Sequence, residues 1–315
     1  FFILTSVARH QLGFWRWVWW ASVAAALIGA FFGFLEKYVV FDLFFSQDYG
    51  RASSLFGNPT FLAGYLLFNV FIGFFLAATE KNKWLRRLAL AVSFIIALGI
   101  FLTQTIGNLL ALFASALILV CYFLARVWRQ PERKLTRNLL AALLLAGILV
   151  SGLFLGTKDN NFWRRIPGIS RLTEIGIYSS SLQNRIIAWK AGGRSFIERP
   201  LLGWGWDNFN LMFNKYYDPI LLTSNFSETY WDKPHNLFLE YLYTTGLIGL
   251  LGFLAVLGAA FYEAWRTPSR AIIFLMIGLV AYLIQSVVIF DTPGVSLMLY
   301  LYLAFIDSQY QKNLQ

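Results

Sequence analysis

Residues 60–79 read TFLAGYLLFNVFIGFFLAAT and carry no charged side chain. A helix of that length rises about 30 Å, the thickness of a bilayer's hydrocarbon core. Similar runs recur along the chain, at 14–35, 85–102, 107–126, 138–156, 236–262, 270–290 and, more briefly, 295–307. Long unbroken apolar runs predict helices, because barrel strands would show short alternating segments. Only 13% of the residues are charged, about half the usual share of a soluble domain. The expected fold is therefore an all-α polytopic membrane protein of about eight transmembrane helices.

The connections sort by charge. Lys81, Lys83, Arg86 and Arg87 lie after the second run, Arg126, Arg129, Arg133, Lys134 and Arg137 after the fourth, and Arg266 and Arg270 after the sixth. The alternate short connections, 103–106 and 291–294, hold no lysine or arginine. Cytoplasmic loops are the basic ones, so residues 36–59 and 157–234 are expected on the outer side. The net charge of +10 is thus an insertion signal, and no nucleic-acid partner is expected. Residues 157–234 form the one long polar connection, a large external loop in which short helices are expected. This divides the chain into an N-terminal bundle 1–156 of about five spans, the loop 157–235, and a C-terminal bundle 236–315 of two to three spans. Cys121 is the sole cysteine and forms no intrachain disulfide. Phe1 is not an initiator residue, so the chain is expected to be a fragment lacking N-terminal helices.

Composition changes sharply where residues 234–253 read PHNLFLEYLYTTGLIGLLGF. His235, one of two histidines, stands where an apolar helix begins. Asp232 can cap that helix and Pro234 suits its first turn. A helix N-terminus disfavours added positive charge, which favours the neutral, proton-accepting ring. Asn236 and Glu240 share one face, four residues apart. An ionisable group about one turn inside an apolar run is costly, so Glu240 either serves function or balances a neighbour. Gly246, Gly249 and Gly252 permit close helix contact.

Residues 180–209 read SSLQNRIIAWKAGGRSFIERPLLGWGWDNF. Ser180 and Gln183 have capping-box spacing, and Arg185 and Trp189 then share a face. Pro200 ends the helix, and Gly203 and Gly205 allow a tight turn bearing Trp204 and Trp206. By composition alone the stretch also suits a membrane-surface helix with an aromatic belt. Trp204, Trp206, Tyr230 and Trp231 suit either that belt or stacking on sugar faces. A third stretch, RASSLFGNPTFLAGYL, offers Arg51 and a turn before the second run.

Together these three stretches resemble the O-antigen ligase and O-antigen polymerase family of bacterial membrane glycosyltransferases. The resemblance runs from about Arg51 to Phe261. It implies transfer of a glycan from a polyprenyl-diphosphate carrier, commonly undecaprenyl, to an acceptor hydroxyl on the outer face of the inner membrane. Inversion at the anomeric carbon, no metal and no cofactor are implied. His235 matches the family's general base, and Arg185 matches the arginine that grips the diphosphate. Arg51, Arg194, Trp189, Gly203, Gly205, Asn208, Asn236 and Glu240 are the further donor-site candidates. One departure stands out: the family's T-x-S-R-G-like turn is here TQTIGN, with Ile106 in the arginine's place. Either another cation, such as Arg51 or Arg194, substitutes, or the donor is held differently, or the chain is inactive.

Residue chemistry agrees with this reading. A diphosphate leaving group needs fixed cations or metal for its growing charge, arginine's fork suits phosphate oxygens, and a hydroxyl nucleophile needs a base. The expected partners are the bilayer, the lipid-linked glycan, and a glycolipid, glycan or protein acceptor. A polymerase or a protein O-oligosaccharyltransferase differs from a ligase only in acceptor. A lipid-linked-glycan transporter is the alternative from another class, though no internal repeat is visible.

Overall fold

The computed structural model describes residues 12–39, 50–166, 168–174, 176, 179–223, 229–267, 269 and 271–314. Residues 40–49 and 224–228 of the two expected external connections, and Arg270, lie outside the described residues. Eleven α-helices occur among those described: α1 (Leu12–Tyr38), α2 (Pro59–Thr79), α3 (Lys83–Thr103), α4 (Ile106–Val127), α5 (Lys134–Thr157), α6 (Asn161–Arg164), α7 (Ser180–Glu198), α8 (Phe209–Lys215), α9 (Leu237–Arg266), α10 (Ile272–Ser286) and α11 (Pro293–Leu314).

Six of these, α1 to α5 and α9, are long and apolar enough to cross a membrane. The expected count was eight. The run at 270–290 forms only the 15 helical residues of α10. The run at 295–307 lies within α11, whose last turns carry Asp307 and Lys312.

The chain gathers into two compact units. The first comprises residues 1–173, 267–282 and 294–315. Its centre is α2, which is apolar around its whole circumference and mostly buried. Asn58 starts this helix, its Oδ1 accepting the Thr60 N–H at 2.8 Å, and Pro59 needs no hydrogen-bond partner there. α1 and α3 flank α2. Gly99 admits this packing, since a Cβ there would lie 2.9 Å from the Ala30 Cβ. Trp15, Trp19, Phe68 and Phe75 pack edge-on against Tyr302 and Phe305 of α11. α5 behaves differently. It packs on α4, has no buried residue, and exposes Leu139, Leu143, Ile148, Leu149 and Leu153. A helix apolar on all sides and covered on one is suited to hydrocarbon. The chain is a multi-pass membrane protein.

The second unit comprises residues 174–266 and 283–293. Its core joins Ala188 and Ala191 of α7 to Phe209, Met212 and Phe213 of α8, Tyr243 of α9, and Leu221 and Trp231 between them. α9 is broken at Gly246, where φ is 68° and ψ is −170°. A break strands backbone groups that must be satisfied elsewhere. Here the turn after α7 satisfies them. The Tyr243 and Thr244 carbonyls accept the N–H groups of Trp204 (3.2 Å) and Gly205 (2.7 Å). The Leu247 and Ile248 N–H groups donate to the Pro200 and Leu201 carbonyls at 2.9 and 3.3 Å. Backbone meets backbone so closely that a Cβ on Gly203 would sit 2.5 Å from the Thr244 oxygen, and one on Gly246 would collide with Leu201. Gly246 therefore serves a break and not helix packing, while a Cβ on Gly252 would meet open space.

Candidate functional site

His235 is held by backbone geometry, its own chain and two rings. Its φ is 52°, a left-handed conformation that few non-glycine residues adopt. That turn lets the chain enter α9 with Asn236 as cap: the Asn236 Oδ1 accepts the Leu239 N–H at 3.0 Å and its carbonyl accepts the Glu240 N–H at 2.9 Å. Asp232 was the expected cap, but it lies too early once the helix starts at Leu237. The His235 Nδ1 is 3.1 Å from the Lys233 carbonyl oxygen. A carbonyl only accepts, so Nδ1 carries the hydrogen, and in the neutral ring Nε2 bears the lone pair. Trp231 and Phe290 stand edge-on to the imidazole, with centroids at 5.0 and 5.2 Å.

Arg185 lies on α7, which starts after Ser179 with no side-chain cap, one residue earlier than the capping box predicted. Its Nη1 donates to the Val288 carbonyl at 2.8 Å. The half-buried guanidinium pairs with no carboxylate among the described residues, and burial pulls its pKa below the usual value. Val288 is two residues from Phe290, so the segment after α10 touches both Arg185 and His235. Trp189, on the same face of α7, donates its Nε1–H to the Pro234 carbonyl at 2.6 Å and accepts the Tyr243 hydroxyl on its own carbonyl at 3.0 Å. Arg185, Trp189 and His235 are thus tied to shared neighbours, across fifty residues of chain.

Other candidates fall elsewhere. Arg194 is exposed, and nine residues at 100° each turn it to the face opposite Arg185. Its field falls on Tyr216. Gly203 and Gly205 hold the turn against α9, and the Asn208 Nδ2–H closes that turn on the Trp204 carbonyl at 3.1 Å. Trp231 is a core residue, and Trp204 is half-buried, its Nε1–H on the Ser195 carbonyl. Trp206 and Tyr230 are exposed. In the first unit, Arg51 donates through Nε to the Thr103 carbonyl (3.0 Å) and through Nη2 to the Thr105 hydroxyl (3.3 Å). It therefore sits on the turn that carries Ile106.

Glu240 is 1% exposed, and Lys233 pairs with it at 2.5 Å while also meeting Asp207. Burial alone would lower the Lys233 pKa, but its hydrogen bonds to Asp207 and Glu240 leave it above the usual value. Lys233 thus neutralises a buried carboxylate with its ammonium and holds the His235 tautomer with its carbonyl. Sequence reasoning passed it over, since one lysine in a basic loop carries no signal. Removing one partner of a buried pair costs about 3–5 kcal/mol. Lys233→Met is expected to lose that much stability, and adding Glu240→Gln to recover most of it. Thermal unfolding of the three proteins in detergent checks this; a single variant as stable as wild type would mean the pair carries no such weight.

Among the described residues, no three His, Cys, Asp or Glu side chains gather as metal ligands. No curated protein matches the chain. A family model described as O-antigen ligase matches residues 91–254. That match spans just over half of the chain and includes Ile106, Arg185, the turn at 203–208, His235, Glu240 and the break at Gly246. The chain belongs to the O-antigen ligase family, whose activity is of the membrane glycosyltransferase type.

Proposed function

We propose that this protein transfers a glycan from a polyprenyl-diphosphate carrier to a hydroxyl of a cell-surface glycolipid, on the outer face of the bacterial inner membrane. The observation that carries the reading is the pairing just described. A histidine oriented to accept a proton at Nε2 and an arginine with no carboxylate partner among the described residues are tied to one segment, through Phe290 and Val288. In the step proposed, the acceptor hydroxyl gives its proton to His235 Nε2 and its oxygen attacks the anomeric carbon. The bond to the diphosphate oxygen breaks with its electron pair, and the configuration inverts. Arg185 meets the charge growing on the diphosphate. No metal is called for, because the Arg185 guanidinium fills that role.

A broken helix with ionisable neighbours is also a transporter feature. At Gly246, however, the four stranded backbone groups are taken by the turn at 200–205, which speaks for a structural break. The deciding experiment uses purified protein in lipid nanodiscs with a polyprenyl-diphosphate glycan, in chelator. A lipid A–core glycolipid, a second lipid-linked glycan and a serine-rich protein are offered as acceptors. Glycan on the glycolipid, undiminished by chelator, is expected. Growth of the lipid-linked chain would make this a polymerase, glycan on the protein an O-oligosaccharyltransferase, and no transfer to any acceptor would overturn the enzyme reading.

A further inference from the structure

α9 is longer than a bilayer requires. Its 30 residues rise about 45 Å, against about 30 Å of hydrocarbon. The break divides it unequally, and the burial pattern changes at the break. From Leu237 to Gly246 every residue is buried or half-buried, packed in the core with α7 and α8. From Leu247 onward Leu247, Ile248, Leu251, Leu254, Val256, Tyr262 and Trp265 are exposed. The twenty residues from Leu247 to Arg266 alone rise about 30 Å and end on aromatic and basic residues suited to an interface.

The turn stitched to the break continues this lipid-facing surface. Leu201 and Leu202 are 60% and 74% exposed, and Ile197 is 77% exposed. The Leu201 carbonyl accepts the N–H of Ile248, so these side chains stand where the exposed half of α9 begins. Lys190, Arg194, Ile197 and Leu201 are spaced four, three and four residues apart, and all are exposed. Lys190, Arg194 and Ile197 form one stripe of α7, and Leu201 follows in the turn after it, so two cations lead to apolar residues at the helix end. Arg199, over the face of Trp204 at 4.5 Å, adds a third cation. An apolar tip with basic flanks is the pattern of a segment resting in a membrane interface.

We infer that the α7–turn tip, Ile197, Leu201 and Leu202, dips into the bilayer surface at the Gly246 end of the span. There Lys190, Arg194 and Arg199 meet anionic lipid headgroups. The first half of α9 then stands above the hydrocarbon, and Glu240 lies in protein outside the bilayer, not within the membrane as hydropathy suggested. His235 then stands outside the hydrocarbon, by up to about 15 Å along the first half of α9, against a headgroup layer about 5–7 Å thick. This inference rests on the membrane span and holds whichever reaction the site performs.

The test is a depth measurement. Cys121, the sole cysteine, is replaced by serine, and spin labels are placed singly at Ile197→Cys, Leu202→Cys, Leu251→Cys and Asp232→Cys. The proteins are reconstituted in nanodiscs containing phosphatidylglycerol. Collision with oxygen and with a water-soluble nickel chelate reports depth. Labels at 197 and 202 are expected to favour oxygen, at shallower depth than 251, while 232 favours nickel. The inference is overturned if 197 and 202 read like 232, or deeper than 251. Shielding from both reagents overturns it too, since a second copy of the chain would then cover the tip.

Discussion

Replacing His235 with asparagine is expected to lower the rate of glycan transfer about 10²–10⁴-fold, the usual worth of a general base, with the fold intact. Asparagine is the informative choice for two reasons. It tolerates the left-handed backbone at φ 52°, and its amide N–H can replace the Nδ1–H that donates to the Lys233 carbonyl. What it lacks is a basic atom where Nε2 stands. His235→Ala should abolish transfer as well, with normal membrane insertion, but it also removes the hydrogen bond and strains the turn. Initial rates at saturating donor, set beside unfolding temperatures, separate the two effects. A near-normal rate in the asparagine variant would reduce His235 to a structural hinge for the chain entering α9.

How far the site was legible beforehand differs from part to part, for physical reasons. Hydropathy located the membrane helices well where the apolar run ends in a capping signal. The run at 60–79 became Pro59–Thr79 because Asn58 and Pro59 punctuate it. The break in α9 was not legible. Gly246, Gly249 and Gly252 are equivalent as letters, and only a neighbouring backbone at Leu201 singles out the first. His235 drew notice through the abrupt change in polarity around it. Its cap was misplaced to Asp232, because a left-handed histidine delays the helix and hands that task to Asn236. Lys233 needed Asp207 and Glu240 to acquire meaning, and those contacts cross 26 and seven residues of chain. Val288 and Phe290 act through a carbonyl and a ring edge, features that composition does not mark. The residues proposed to do chemistry were visible by type, while those that position them were visible only by contact.

The second large effect concerns Arg185. Arg185→Lys is expected to lower the transfer rate about 10²–10³-fold, the usual cost of removing one donor aimed at developing charge. An ammonium cannot hold the Val288 carbonyl and two phosphate oxygens as a planar fork does. Because the charge grows as the bond to diphosphate breaks, the loss should fall on kcat more than on KM for the donor. Stability should move little in the apo protein. Arg185 is a partly buried cation with no carboxylate partner among the described residues, and its substitution forfeits one hydrogen bond, a net loss of about 1 kcal/mol. Arg185→Met should therefore unfold within a few degrees of wild type. Inorganic pyrophosphate, which mimics the leaving group's anion, should raise the unfolding temperature of wild type through binding linkage and leave Arg185→Met unmoved. If the methionine variant instead unfolds far below wild type and both respond alike to pyrophosphate, Arg185 is a strut between α7 and the Val288 segment, and the diphosphate is held by another cation.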